Sequence, residues 1–338
     1  MHTRTAKRLG TPVSEIGLGC WQLGSADWGA VSDEAAFEIL RLSLDGGVTF
    51  IDTADVYGGG HSESLIGRFL HTLPADRAKG LFIASKLGRL KGFPDGYSES
   101  LFRECTKESV DRLGRAINLH QLHCVPPEAL RRGHVFDWLR KLKSAGLIRH
   151  FGASVESMEE ARVCLKQDDL DSLQIIFNIF RQKPIDELFA EAKEKGVAII
   201  VRLPLASGLL AGQYTKQTTF PEKDHRNYNR DGKFFNVGET FAGIPFAKAV
   251  ELTEQIKPFL SIAPNSSTRP DGTSMADMAM RWILDHDAVT TIIPGATKPA
   301  QARANVRASE MTPLPASVHK SLREFYGREV KQWIRGPY

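Results

Sequence analysis

"SEIGLGCWQLG", residues 14–24, is where two architectures part. The stretch opens as an apolar strand and carries Gly17, Gly19 and Gly24. A doubly wound dinucleotide fold wants G-x-G-x-x-G after its first strand, where the glycines let backbone amides approach a pyrophosphate at a helix start. Here the third glycine comes too late, and no helix begins at once. The next helical stripe, Phe37, Leu40 and Leu44, begins only after a capping Ser32 and stops at Gly46 and Gly47. The fold is therefore decided by the rest of the chain.

From Val48 onward strand and helix alternate. VTFID (48–52) reads as a strand, HSESLIGRFL (61–70) as a helix and LFIASK (81–86) as a strand. A helix from Ser98 to Gly114 leads to the strand LHQLHC (119–124). Helix 134–145, strand 148–154, helix 156–167 and strand 172–178 come next, then a helix opened by Pro184 and the strand 197–203. After a long interruption come helices near 244–262 and 273–286, the strand 289–295, a short helix 299–305 and a terminal helix over about 316–333. The strands are short, apolar and β-branched, as parallel strands buried on both faces are. Eight such units along the whole length predict an α/β fold of the (β/α)8 TIM-barrel type. The first residues predict a capping hairpin turning at Gly10–Pro12, and the terminal helix closes the chain. A single domain over 1–338 is expected, with a long loop at about 203–243.

Composition excludes several classes. The 338 residues are 42% hydrophobic, enough for a large core, and the net charge of +4 is spread without a basic run suited to nucleic acid or a membrane surface. Cys20, Cys105, Cys124 and Cys164 form no CxxC pair, so reduced thiols in a cytoplasmic protein are expected. The N-terminus lacks the apolar stretch of a secretory signal, and no apolar run approaches a membrane span.

In a (β/α)8 barrel the site lies at the C-terminal ends of the strands. Asp52, Lys86 and His123 end strands 2, 3 and 4 at intervals of about one βα unit, and Tyr57 comes in the loop after Asp52. Singly, each has a plain structural reading: a helix-capping acid, a packing tyrosine, a lysine leaving the core, a rim histidine. At one rim they make a proton donor aimed at a carbonyl oxygen. A phenol of pKa near ~10 is a poor acid at neutral pH, and an ammonium beside it is expected to lower that value. Asp52 would hold Lys86, and His123 would orient the carbonyl. The set lacks a reductant, which a cofactor must supply. A second reading of the same rim is a Schiff-base aldolase or isomerase using Lys86.

"FIDTADVYGGGHSE", "IASKLG", "QLHCVP", "GASVES", "PLASGLLAG" and "IIPGATKPAQARAN", in this order, resemble the aldo-keto reductase superfamily over nearly the whole chain. The resemblance implies a (β/α)8 barrel and NAD(P)H-dependent reduction of aldehydes and ketones without metal. It implies Tyr57 as general acid, Lys86 and Asp52 as the ion pair that tunes it, and His123 as the carbonyl-orienting residue. Ser154 and Gln174 would bond the nicotinamide carboxamide. Leu205, Gly208 and Leu210 would run beside the pyrophosphate. Gly295, Thr297, Lys298, Gln301 and Asn305 would surround the adenosine end. Lys298 next to Thr297 favours NADP(H) over NAD(H).

The chain departs from the family's pattern at three places. Val155 stands where Asn is common, Arg202 where many members stack an aromatic, and Gln213 where a lysine often comes after the glycine. Arg202 is expected to turn toward a phosphate or to favour the reduced cofactor. The interruption at 203–243 mixes aromatic and basic residues and is read as a lid over the cofactor, partly disordered without it. Trp21, Trp28 and Trp333 are candidate walls of the substrate pocket. Gly58–Gly60 lacks the ending of a phosphate loop, and His120, His123 and Cys124 do not share one face of a strand as zinc ligands would. Asp55 and Glu63 are read as structural. Some family members are channel partners, so a redox-sensing subunit with little turnover is a further reading. Expected partners are a small carbonyl substrate and neither nucleic acid nor membrane. The substrate's identity and the oligomeric state are not written in the sequence.

Overall fold

The computed structural model describes residues 1–89, 93, 96–261 and 272–338. Eight strands form one parallel sheet in sequence order: β3 (Leu18–Gly19), β4 (Phe50–Asp52), β5 (Phe82–Leu87), β6 (Ile117–His123), β7 (Ile148–Ser154), β8 (Ser172–Ile176), β9 (Ala198–Arg202) and β10 (Val289–Ile292). Parallel bridges Ile16–Ile292 and Gly19–Gly295 join the last strand to the first, closing a TIM barrel. Gly17 and Gly19 find their use in this closely packed part of the barrel. A Cβ on Gly17 would meet the Phe50 carbonyl oxygen at 2.9 Å, and one on Gly19 would meet that of Ile293 at 2.8 Å. They permit close strand approach rather than a phosphate turn.

Strand parity sorts the side chains into two cores. Phe50, Phe82, Ala84, Leu119, Ala198, Ile200 and Ile293 fill the lower barrel, with Phe50 and Phe82 stacked at 5.4 Å. Leu9 and Val13 plug that layer from below. They come from the expected hairpin, in which β1 (Thr3–Arg4) pairs antiparallel with β2 (Val13–Ser14). The alternate residues, such as Ile51, Ile83, Leu122, Leu173 and Ile199, pack outward against the apolar faces of the helices.

The expected helices are present, with differences that have local causes. Two short helices, Ala75–Lys79 and Pro127–Arg132, are too brief to leave a periodic stripe. The helix after Pro184 breaks at buried Leu188, whose φ of −137° is not helical, into Lys183–Glu187 and Phe189–Lys195. The helix expected near 244–262 runs Phe246–Ser261, and its last expected residue lies outside the described residues. The terminal helix Ala316–Phe325 widens into a π-turn, Tyr326–Val330, before a tight turn at Lys331–Trp333. Among the described residues no helix is long and apolar enough to cross a membrane.

The interruption at 203–243 is folded rather than open. It contains short helical turns at Ala206–Ala211, His225–Tyr228, Val237–Glu239 and Phe241–Gly243. Left-handed residues, among them Ser207, Gly208 and Ala242, interrupt the turns and erase any helical period. Part of its aromatic set turns inward, with Tyr214, Phe220 and Phe241 packed on one another and on Phe246, whereas Phe234 is exposed.

Candidate active site

The parity that puts Phe50 and Phe82 inside the barrel also turns Asp52, Lys86, Gln121, His123, Ser154, Gln174 and Arg202 inward, one layer or two higher. The top of the barrel is therefore polar where its bottom is apolar. Lys86 is fully buried and its Nζ sits 2.5 Å from Asp52 Oδ1. It also donates to the Thr53 carbonyl oxygen at 2.8 Å and to the Tyr57 hydroxyl at 3.3 Å. The other Asp52 oxygen accepts from Gln174 Nε2 at 2.8 Å and from Gln121 Nε2 at 3.4 Å. The carboxylate is thus held by three side chains, and it fixes the ammonium beneath the phenol.

The turn Asp55–Gly60 brings Tyr57 over this pair. The Asp55 amide bonds the Lys86 carbonyl oxygen at 3.1 Å, tying the turn to β5. Trp21 stacks on Tyr57 with centroids 5.9 Å apart, and His123 meets it edge-on at 5.8 Å. A Cβ on Gly24 would strike the Tyr57 carbonyl oxygen at 2.8 Å, so the helix Trp21–Gly24 can lie against this turn only with glycine there. The four residues Asp52, Tyr57, Lys86 and His123 are brought together.

Electrostatics correct one expectation. Burial pushes the Tyr57 phenol above its ordinary value, and the Lys86 charge opposes this without overcoming it. The ammonium therefore tempers a half-buried phenol rather than making it an ordinary solution acid of lowered pKa. For Lys86 itself burial works toward neutrality, but Asp52 and Tyr57 outweigh it and hold the ammonium charged. Burial, with the charges of Arg89, Lys86 and Arg202, holds His123 well below the usual imidazole range. Neutral His123 is suited to a hydrogen bond with a carbonyl oxygen, not to carrying a charge.

Two cavities meet at this point. The wider, about 520 Å³, is walled by Trp21, Phe93, Tyr97, Tyr228, Phe234 and Phe235 together with Arg89, Glu156 and Glu239. The other, about 240 Å³, runs past Gln174, Arg202, Leu205, Gly208, Gly295, Thr297 and Gln301, and exposed Gln301 marks its opening to solvent. Of the described residues, only Trp21, Tyr57, His123 and Glu239 line both.

Other residues of the expected set lie at, behind or away from the cavity walls. Ser154 lies behind the second cavity's wall, 3.5 Å from Gln174 Oε1, and Leu210 is buried in the outer core. Asn305 supports the wall by donating to the Gly295 carbonyl oxygen at 3.2 Å. Lys298 is exposed at the start of the helix Pro299–Asn305. Trp28 lines the second cavity, whereas Trp333 lines neither and stands exposed under Lys248. Arg202 is not free for a phosphate: its Nη1 lies 3.4 Å from Glu239, and its Nη2 donates to the Val155 carbonyl oxygen at 3.3 Å. His120 and His123 point to opposite faces of β6.

Sequence reasoning missed Arg89, Glu156 and Glu239. Arg89 Nη2 bridges Glu239 at 2.9 Å and Glu156 at 3.2 Å. Burial and the neighbouring Glu239 push the Glu156 carboxyl up to about 7. Burial would raise Glu239 as well, but Arg202 and Arg89 hold it down at about 2. Cys124, Glu156 and Glu239 are close enough together to suggest a metal centre. The guanidiniums of Arg89 and Arg202 bond to these same side chains and make the group an ion network.

The family model for the aldo/keto reductase family matches residues 15–326. The chain belongs to the aldo/keto reductase family, a family of oxidoreductases. Among its relatives, the aldo-keto reductase YhdN of Bacillus subtilis is 28% identical over 304 residues, 87% of this chain and 85% of that protein. The NADH-specific methylglyoxal reductase of Escherichia coli is 29% identical over 313 residues, 88% and 90% of the two chains. Among solved structures, the glycerol dehydrogenase AKR11B4 from Gluconobacter oxydans superposes with a TM-score of 0.75 at 26% identity, covering 99% of this chain and 98% of that one. This aldo-keto reductase thus has its relatives' barrel over almost its whole length.

Proposed function

We propose that this aldo-keto reductase reduces aldehydes or ketones to alcohols with NADPH, reversibly, as one barrel domain over 1–338. The observation that carries the reading is the junction of the two cavities. Tyr57 and His123 line both, so a carbonyl in the wider cavity and a redox cofactor in the other would meet at a phenol held by a charged lysine.

The second cavity suits a nicotinamide dinucleotide by its chemistry. Its inner end offers the Gln174 side chain for an amide. Its closed part is only large enough for one end of such a molecule, and the rest would extend along Gly208 and Gly295 toward Thr297, Lys298 and Gln301. Gln301 already accepts from the Thr297 amide and hydroxyl and from the Lys298 amide, which leaves the Lys298 ammonium to meet a 2′-phosphate. This favours NADP(H). The related Escherichia coli protein named NADH-specific makes the choice one to measure.

When bound, the nicotinamide supplies the hydride. Tyr57 donates the proton to the carbonyl oxygen as negative charge develops there. Lys86, fixed by Asp52, stabilises the phenolate that results. Neutral His123 hydrogen-bonds the same oxygen, and Trp21 forms one wall of the substrate space. The segment 203–243 covers the cofactor.

The test is Tyr57→Phe. NADPH binding, read by fluorescence, should stay within about threefold of wild type, while carbonyl reduction falls by about 10³ or more. A variant that keeps near-wild-type turnover overturns the assignment. Borohydride trapping of a carbonyl on Lys86 would point instead to Schiff-base chemistry.

A further inference from the structure

Glu239 is the fourth residue common to both cavities, after Trp21, Tyr57 and His123. It sits in an aperiodic segment, yet its position is fixed on every side. Its amide bonds the Asn236 carbonyl oxygen at 3.0 Å, and its own carbonyl oxygen accepts from the Ser207 hydroxyl at 3.1 Å. Its carboxylate is buried between two guanidiniums on different strand ends, Arg202 on the side of the second cavity and Arg89 on the side of the first.

Charge balance at the junction depends on this carboxylate. Lys86 and Asp52 cancel each other below the phenol. Above it stand two cations, Arg89 and Arg202, and two acids, Glu156 and Glu239. Glu156 titrates near neutrality, which leaves Glu239 as the firm anion. Arg202, which lines the second cavity together with Gln174 and Tyr57, is therefore a paired cation rather than a bare one, and it shares this carboxylate with Arg89.

We infer that Glu239 sets the redox-state preference of the cofactor cavity, by offsetting the charge of Arg202 beside the position proposed for the nicotinamide ring. The inference rests on the nicotinamide reading above. The reduced ring is neutral and the oxidised ring carries one positive charge. An uncancelled guanidinium in the same poorly solvated cavity therefore penalises the oxidised form and leaves the reduced form almost untouched. With Glu239 in place that penalty is smaller. This assigns Glu239 a positioning and electrostatic role, distinct from the proton chemistry of Tyr57.

Affinity for both forms reads this without turnover. NADPH is titrated by fluorescence and NADP⁺ by its displacement, or NADH and NAD⁺ if wild type holds that pair more tightly. In Glu239→Gln the ratio of oxidised to reduced dissociation constants should rise by about tenfold or more. In Arg202→Met, which keeps the carboxylate and removes the cation, the ratio should fall below wild type. In the double variant it should return to within about threefold of wild type. A Glu239→Gln that weakens both forms alike overturns the proposal, and so does an Arg202→Met that leaves the ratio unchanged. The second variant decides the matter if the first does not fold. Failure of wild type to quench either reduced cofactor would instead remove the nicotinamide reading itself, and this inference with it.

Discussion

Asp55 lies two positions before Tyr57 and is buried, with no described side chain donating to its oxygens. Burial, reinforced by the charge of Glu63, pushes its carboxyl up to about 7 from an ordinary value near 3.8. A carboxyl raised in the folded state binds more protons there than in the unfolded chain between those two values. Stability therefore falls as pH rises from about 4 to about 7, and the cost is complete above that range. Asp55→Asn removes the charge and keeps the shape. It should raise the unfolding free energy at pH 8 by on the order of 1–4 kcal/mol, with the gain vanishing below about pH 4. Urea denaturation at the two pH values checks it, and an equal effect at both would sink it. The residue scale also shows what the sequence made legible. Asp52, Lys86 and His123 were readable because parity and strand ends place them. The sign of the Tyr57 shift was not, because it depends on burial against Trp21 and His123 and on the charge of Glu239, all distant in the chain.

At the scale of elements, the strands and longer helices were readable because each repeats a period. The segment 203–243 was not, because its order comes from side-chain clamps instead. Arg226 is the chief clamp. Its guanidinium lies 5.0 Å from the Trp28 ring and 4.6 Å from that of Phe220, grips Asp224, and donates to the Tyr214 hydroxyl at 2.8 Å. It also lines the second cavity. None of these contacts belongs to the barrel wall, so the segment can loosen while the barrel stands. Arg226→Ala should raise the rate of chymotryptic cleavage within 214–235 by about tenfold and weaken cofactor binding by a similar factor, with the barrel's unfolding free energy changed by less than about 1 kcal/mol. Unchanged cleavage would mean that the aromatic cluster of Tyr214, Phe220 and Phe241 holds the segment without Arg226.

For the whole molecule, the question is how a segment with little regular structure is held over a barrel's open end. The last residues supply the fastening, and nothing in their composition, VKQWIRGPY, announced it. Arg335 donates to the Gly243 carbonyl oxygen at 2.9 Å and pairs with Asp231 at 2.8 Å. Arg181, in the loop after β8, donates to the carbonyl oxygens of Ala242 at 3.4 Å and Pro337 at 2.9 Å. Its guanidinium lies 4.1 Å from the Tyr338 ring. The Tyr338 hydroxyl accepts from the Lys183 amide at 2.9 Å and meets the Tyr326 hydroxyl at 2.7 Å. Barrel loop, covering segment and terminal residues thus share one buried cation. Tyr338→Ala should remove about 2–4 kcal/mol of stability, combining a lost aromatic with a less well-covered guanidinium. It should also speed amide exchange at Gly238–Gly243 more than in the strands β4–β6, because the loss falls on the fastening and not on the barrel. Uniform acceleration across strands and segment would show that the terminal residues stabilise the barrel as a whole. No change at Gly238–Gly243 would show that Arg335 alone secures that end.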